Sequence, residues 1–163
     1  MELSGNYAEL IGATMGDGNI YRKNRKYRIG FTGNIGTDKD YFAYLKDLIL
    51  IEWNKDAKIK ICSGGLRIVI NSKEVCNFLI NEIGIPFGEG KCEKIFIPKI
   101  ITKDWDLTKR TIRGLFDTDG TVFVSKKPRI EKYPSIELAT TSRILAEQVK
   151  EILEKKKFRV GKI

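Results

Sequence analysis

The sequence predicts an α+β fold of two pseudo-symmetric halves, with antiparallel sheets joined at two packed helices. A complete half reads αββαββα, and the second half is shortened. Three observations predict this. A nine-residue stretch occurs twice. The text after each copy runs in parallel. The strands that follow each copy are joined by turns short enough to force antiparallel pairing.

The first copy is LIGATMGDG, residues 10–18, and the second is IRGLFDTDG, residues 112–120. Gly12 falls on Gly114, Asp17 on Asp119 and Gly18 on Gly120 at one constant offset. Each copy is an apolar helical stretch that runs into an acid and a glycine. The glycine reads as a helix stop. The acid is misplaced, because a helix C-terminus carries partial negative charge and favours Lys or Arg. One Asp-Gly is an ordinary turn. The same unfavourable placement at the same point of two related units asks for another reason.

The first half spans residues 6–102. After its opening helix, NIYRKNRKYRIGF alternates around a basic turn and predicts a hairpin over 19–23 and 27–32. Phe42, Leu45, Leu48, Ile49 and Trp53 recur at helical spacing and predict a helix over 38–53. AKIKI is strand-like, and CSGGLRIVIN adds a Gly-Gly turn and another strand. A helix over 72–83 follows, then a loop holding EGKCEKIFIP. The second half spans residues 107–163. TVFVSKKPRIEKYPSIELA predicts a strand pair with a longer basic loop. Leu145, Val149, Ile152 and Leu153 predict a helix over 142–156, and FRVGKI reads as a strand. Ile163 corresponds to Ile61, so the copy stops short of the strand–helix that completes the first half.

Composition narrows the chemistry. With 30 Lys and Arg against 21 Asp and Glu, the net charge of +9 favours a polyanionic partner. Histidine is absent, which removes Ser-His-Asp and Cys-His catalysis and every His-ligated metal. Cys62, Cys76 and Cys92 are spread singly, without a CxxC pair, and read as reduced core thiols. DTDG begins like a calcium loop, but Thr121 and Val122 fill the next ligand places, which excludes an EF-hand. No apolar run reaches the ~18 residues of a membrane span. Glu2 and the lack of a long apolar core speak against a signal peptide, so the cytoplasm is the expected compartment.

Small residues recur four apart on both helices, as Gly12 and Gly16 and as Gly114 and Thr118. They allow two backbones to approach closely. Packing there brings Asp17 and Asp119 together at one end. Two adjacent carboxylates repel unless a cation lies between them. Without His or a Cys cluster the choice is a hard, oxygen-liking ion, Mg2+ or Mn2+, with the carbonyls of Gly16 and Thr118 as backbone ligands. Such a site beside basic hairpins suits phosphodiester hydrolysis.

On these two motifs the sequence resembles the LAGLIDADG homing endonucleases in their single-chain form. The family's metal-binding acid, at the eighth motif position, corresponds to Asp17 and Asp119. The sixth position is Asp117 in the second copy and departs to Met15 in the first. The resemblance implies two saddle-shaped sheets straddling double-stranded DNA, with strands in the major groove and the acids at the scissile phosphates. It suggests Tyr21, Lys23, Arg25, Arg28, Lys58, Lys60 and Arg67 as DNA contacts from the first half. Ser125, Lys127, Arg129 and Lys132 are the candidates from the second. A catalytic lysine is expected in GEGKCEKIFIP, at Lys91 or, as the second choice, Lys94. The function implied is a site-specific, metal-dependent endonuclease that cuts both strands as a monomer with access to genomic DNA. The start at Met1, without a splicing Cys or Ser and without a terminal His-Asn, favours a free intron-encoded protein over an intein. The rival is a non-cutting binder, either an intron RNA maturase or a DNA-binding regulator.

Overall fold

The computed structural model describes residues 3–62 and 64–163, so Met1 and Glu2, read above at the start of the chain, and Ser63 of the Gly-Gly turn segment lie outside it. The first half contains α1 (Gly5–Met15), β1 (Asn19–Lys23), β2 (Lys26–Asn34), α2 (Lys39–Trp53), β3 (Ile59–Cys62), β4 (Gly65–Ile70) and α3 (Lys73–Asn77). α3 continues as π-helical turns over Phe78–Ile83. Two single-turn helices, α4 (Lys91–Lys94) and α5 (Lys99–Thr102), lead to α6 (Trp105–Asp119). The second half closes with β5 (Gly120–Lys127), β6 (Ile130–Leu138) and α7 (Arg143–Lys155).

Four helices start on the side-chain oxygens that such starts favour. Ser4, Ser72 and Ser142 accept from the backbone N–H three residues on, and Asp104 accepts from Asp106 and Leu107. The first hairpin turns through Asn24 and Arg25, with φ of 51° and 59°. Two consecutive left-handed residues make the tight turn whose twist matches the strands.

The first sheet has the order β1-β2-β4-β3, all antiparallel. Its inner face presents Ile20, Ile29, Phe31, Leu66, Ile68 and Ile70, all buried. Phe42, Leu45, Ile49 and Trp53 of α2 and Val75, Cys76 and Leu79 of α3 and its continuation belong to the same core. The order explains one correction. β3 pairs only with β4, at the far edge from β1. Residues 158–163 have no strand beside them among the described residues and form no strand, contrary to the sequence expectation. A second correction concerns the EGKCEKIFIP loop, whose 91–94 segment winds into α4.

The second sheet consists of β5 and β6 alone. Val122 pairs with Ile136 as Ile20 pairs with Ile29. Ile20 and Ile29 are 3% and 0% exposed, whereas Val122 and Ile136 are 73% and 67% exposed. The difference is the missing cover. α7 turns Leu145 and Val149 into the core and fastens to the linker, where the Gln148 amide both accepts from Ile97 N (2.9 Å) and donates to Ile97 O (3.3 Å). A two-stranded sheet without a packed face is marginal by itself. Hydrogen exchange is therefore expected to be at least tenfold faster across β5–β6 than across β2–β4, since local stability follows buried apolar contact. Equal protection of the two sheets would show that the second one is covered in solution.

Candidate active site

α1 and α6 lie side by side and run in the same direction. Thr111 Oγ1 donates to Ala8 O (3.0 Å) across the seam. A Cβ on Gly12 would stand 2.1 Å from Thr111 O, and one on Gly114 would stand 2.2 Å from Glu9 O. Backbone meets backbone here, as the small-residue spacing predicts. Beside the seam, buried Glu9 accepts from the Tyr44 hydroxyl (2.6 Å) and from Arg110 (3.2 Å), and Arg113 lies 3.6 Å away. Arg113 also pairs with Asp117 (3.4 Å), so this acid of the second motif is committed to an ion pair.

Because the helices are parallel, their C-terminal ends coincide, and this is where the misplaced acids stand. The glycines that follow them do not work as left-handed stops. Gly120 is extended, with φ −91° and ψ 151°. Its missing Cβ makes room for Phe116 O at 2.3 Å, and that of Gly18 makes room for Thr14 Cα at 2.4 Å. Each glycine lets a strand leave tight against the last turn of its helix. The acid before it is thereby held at the helix end, where the last carbonyls of both helices have no intrahelical partner.

Asp17 and Asp119 share one site. Asp119 Oδ2 is 2.9 Å from the point where a Gly16 Cβ would stand. Desolvation and then the charge of Asp119 push Asp17 up to about 6, with Asp38 adding to the effect and Lys91 opposing it. Desolvation also raises Asp119, again against Lys91. Lys91 reaches in from the start of α4. Its ammonium donates to Gly18 O and to Thr14 O (3.3 Å). Burial pushes it down, while the charges of Asp119 and Asp17 pull it up. Lys94, the second choice, is exposed on the same turn and makes no such contact. Asp38, at the start of α2, went unnoticed in the sequence. It accepts from Asn34 N (2.7 Å) and Thr37 Oγ1 (2.6 Å) and adds negative charge beside Asp17.

The outer face of the first sheet collects most of the suggested contacts. Register places Tyr21 opposite Arg28, and Thr32, Arg67 and Lys60 in one row across three strands. Lys23 is on the same face, and Arg25 is in the hairpin turn. Lys58 precedes β3 in an exposed coil. Strand alternation by itself points to Asn19, Lys26 and Thr32 as further members of this face, beyond the contacts suggested from the sequence. In the second sheet Ser125 pairs with Tyr133, and Lys127 covers the Tyr133 ring at 3.4 Å. Arg129 sits in the turn with φ 69°. Lys132 departs from the set. It lies inside the register irregularity between Ile130 and Tyr133 and has no strand partner there.

The donor set suits a hard divalent ion. It offers two mutually repelling carboxylates, Asp17 exposed and Asp119 partly buried, with the carbonyls of Gly16 and Thr118 at the helix ends. Protein groups supply too few ligands to enclose an ion, since no cluster of three or more acids or cysteines forms among the described residues. A site of this kind is completed by water and substrate oxygens.

Residues 106–158 match the sequence profile of the LAGLIDADG-like domain. Among solved structures, the homing endonuclease I-DmoI, in a study of its mesophilic variants, is 20% identical with a TM-score of 0.62, over 95% of this chain and 73% of that one. I-DmoI in complex with DNA and Ca is 20% identical with a TM-score of 0.61, over 95% and 73%. I-DmoI in complex with DNA and Mn is 20% identical with a TM-score of 0.59, over 93% and 77%. No curated protein sequence matches the chain. At this identity the structural likeness establishes the fold.

Proposed function

We propose, for a chain whose residues 106–158 are a LAGLIDADG-like domain and whose fold is that of the LAGLIDADG homing endonucleases, that it is a site-specific DNA endonuclease. The observation that carries this reading is the pair Asp17 and Asp119 at the joined ends of two helices, where each helix runs into a hairpin. The placement is unfavourable for a helix end and for two like charges, and Lys91 offsets it only in part, so it favours a ligand of positive charge. The solved relatives in complex with DNA and Ca or Mn support a divalent ion in this role.

Asp17 and Asp119, with the carbonyls of Gly16 and Thr118, would hold Mg2+ or Mn2+, which supplies positive charge to the scissile phosphates when bound. The chain's own residues do the rest. The row Thr32–Arg67–Lys60 and the pair Tyr21–Arg28 place donors on a sheet face broad enough to enter a major groove. Arg25, Lys23 and Lys58, with Lys127, Arg129 and Ser125 from the second sheet, hold the duplex on either side. Lys91, kept beside the acids by Gly18 O and Thr14 O, is placed to stabilise charge that builds on the phosphate. Cleavage of both strands by one chain follows from having one acid from each half. The chain acts as a monomer in this reading, in a compartment where it meets genomic DNA. No helix among the described residues is long and apolar enough to cross a membrane.

Incubation with a plasmid that carries the uninterrupted host site, in the presence of Mg2+, tests the proposal. A single linear product supports it. Tight binding with no cut in Mg2+ or Mn2+ would replace it with the non-cutting binder, and preferential binding of the intron transcript would identify a maturase.

The acids also give a pH dependence. Asp17 holds its proton more tightly folded than unfolded, so metal-free stability is greatest in acid and falls as pH rises from about 4 through 6. Asp17 is exposed on one side, and solvent screening limits the effect to on the order of 1 kcal/mol. Metal-free melting of the wild type should show this decline, and Asp17→Asn should remove most of it. A melting temperature that rises from pH 4.5 to 7 and falls on mutation would contradict the assignment.

A further inference from the structure

At the outer end of the first sheet, β4 stops at Ile70, opposite Ile29, while β2 begins three residues earlier at Lys26. The edge of β2 there faces the chain that enters α3. A cleft of about 380 Å³ opens between them, lined by residues 25–28 and 71–73. Four of these side chains are cations, Arg25, Lys26, Arg28 and Lys73, and none is acidic. Glu74, the next acid along the chain, does not line it. Lys73 is held over the Tyr27 ring at 5.9 Å. Arg25 adopts φ 59°, a left-handed backbone that disfavours a long side chain. The other hairpin repeats the device, with Arg129 at φ 69°. A turn of this type favours Asn or Gly, and an arginine there points to a use for its guanidinium.

We propose that this cleft is a phosphate clamp, which grips a backbone phosphodiester of duplex DNA at the outer end of the first half's footprint. The proposal rests on the DNA-endonuclease reading, which already sets Arg25 and Arg28 against DNA, and deepens it by adding Lys26 and Lys73 and by assigning the cluster to a backbone phosphate. The cleft gathers four cations with no acid among them, a positive charge that a neutral base edge does not balance. It offers much to an anionic oxygen, and the guanidinium fork matches phosphate geometry. The position agrees. β1 leaves the acids at Asn19 and reaches the turn at Asn24, so at ~3.3 Å per residue the cleft is about 20 Å from Asp17. That is about six steps along one strand of the duplex.

The test compares two paired variants of the whole chain on a mixed-sequence 30-base-pair duplex, by fluorescence anisotropy across a salt series. Lys26→Ala with Lys73→Ala removes two cations from the clamp. Lys46→Ala with Lys103→Ala removes two from elsewhere. Lys46 is on α2, on the covered side of the sheet, and Lys103 is just before α6, at the end remote from Asp119. All four side chains are partly or fully exposed, and melting curves confirm folding. The clamp variant is expected to bind about five- to tenfold more weakly near physiological salt. Its slope of log affinity against log salt should flatten by about 1 to 2, because each neutralised phosphate contributes about 0.9. The control should keep the wild-type slope. If the two variants lose equally, the clamp is wrong and the DNA reading stands. If the wild type does not bind duplex at all, both fall. Repeating the series in sodium phosphate at equal ionic strength separates the sources. If a few millimolar phosphate releases the duplex from wild type but not from the clamp variant, the cleft prefers free phosphate to a DNA phosphodiester, and that result also overturns the proposal.

Discussion

Asp17→Asn and Asp119→Asn are each expected to abolish cleavage, by about a thousandfold or more, while duplex affinity stays the same or tightens. The two carboxylates are the only acids at the joined helix ends that lack an ion-pair partner among the described residues, since Asp117 is held by Arg113. The asparagine amide keeps the shape but loses the charge that holds a divalent ion, and with it several kcal/mol of transition-state stabilisation. DNA affinity moves the other way because a negative charge is removed from a surface that meets phosphates. EDTA should reproduce the loss without releasing DNA. Time courses on supercoiled plasmid with binding measured in parallel would decide the matter. If either variant cuts at the wild-type rate, these carboxylates do not hold the metal. If either loses binding and cleavage together, they matter for folding rather than for chemistry.

Gly114→Ala is expected to unfold the protein or to cost about 3 kcal/mol or more, a larger effect than most single methyl additions. The new Cβ would stand 2.2 Å from Glu9 O and 2.8 Å from Ala13 N, both backbone atoms of α1. A flexible side chain could move aside, whereas a helix backbone cannot, so the seam must open. An opened seam also separates Asp17 from Asp119. Gly30→Ala is the comparison. There the nearest heavy atom to a new Cβ is Ile68 O at 3.6 Å, an ordinary contact, and a change within about 1 kcal/mol is expected. Thermal or denaturant unfolding of the two variants checks this. Similar stability in both would mean that α1 and α6 do not pack as closely as described.

The sequence carried much of this. The two nine-residue copies placed both helices, their glycine contacts and the two acids. Period-2 alternation located β1 to the residue and β2 to within two, because half-buried strands must alternate. Helical spacing likewise set α2 and α7 to within one residue of their observed ends. The unfavourable placement of the acids at helix ends was legible for the same reason. It was a violation of local preference that occurred twice, and local preference is a property of sequence.

What lay beyond the sequence depended on contacts between distant segments. That Lys91 rather than Lys94 meets the acids is decided by the single turn of α4, which aims one side chain at Gly18 O and leaves the other in solvent. That a glycine follows the end of each helix was legible, but the reason at Gly18 and Gly120, a chain leaving tight against the last turn, emerges only from what a Cβ would strike in the packed structure. FRVGKI has the composition of a strand, yet a strand exists only where a neighbour takes its N–H and C=O groups. In the order β1-β2-β4-β3 that neighbour is β4, and no such strand stands beside residues 158–163 among the described residues. The same absence leaves Val122 and Ile136 exposed, although they match the buried Ile20 and Ile29 in every local respect. By itself the sequence determined the helices, the hairpins and the paired acids, all of which follow from periodicity and repetition along the chain. Tertiary structure alone decided which lysine reaches the acids, which strand-like segment pairs and which apolar face is covered, because each of these depends on what another part of the chain places beside it.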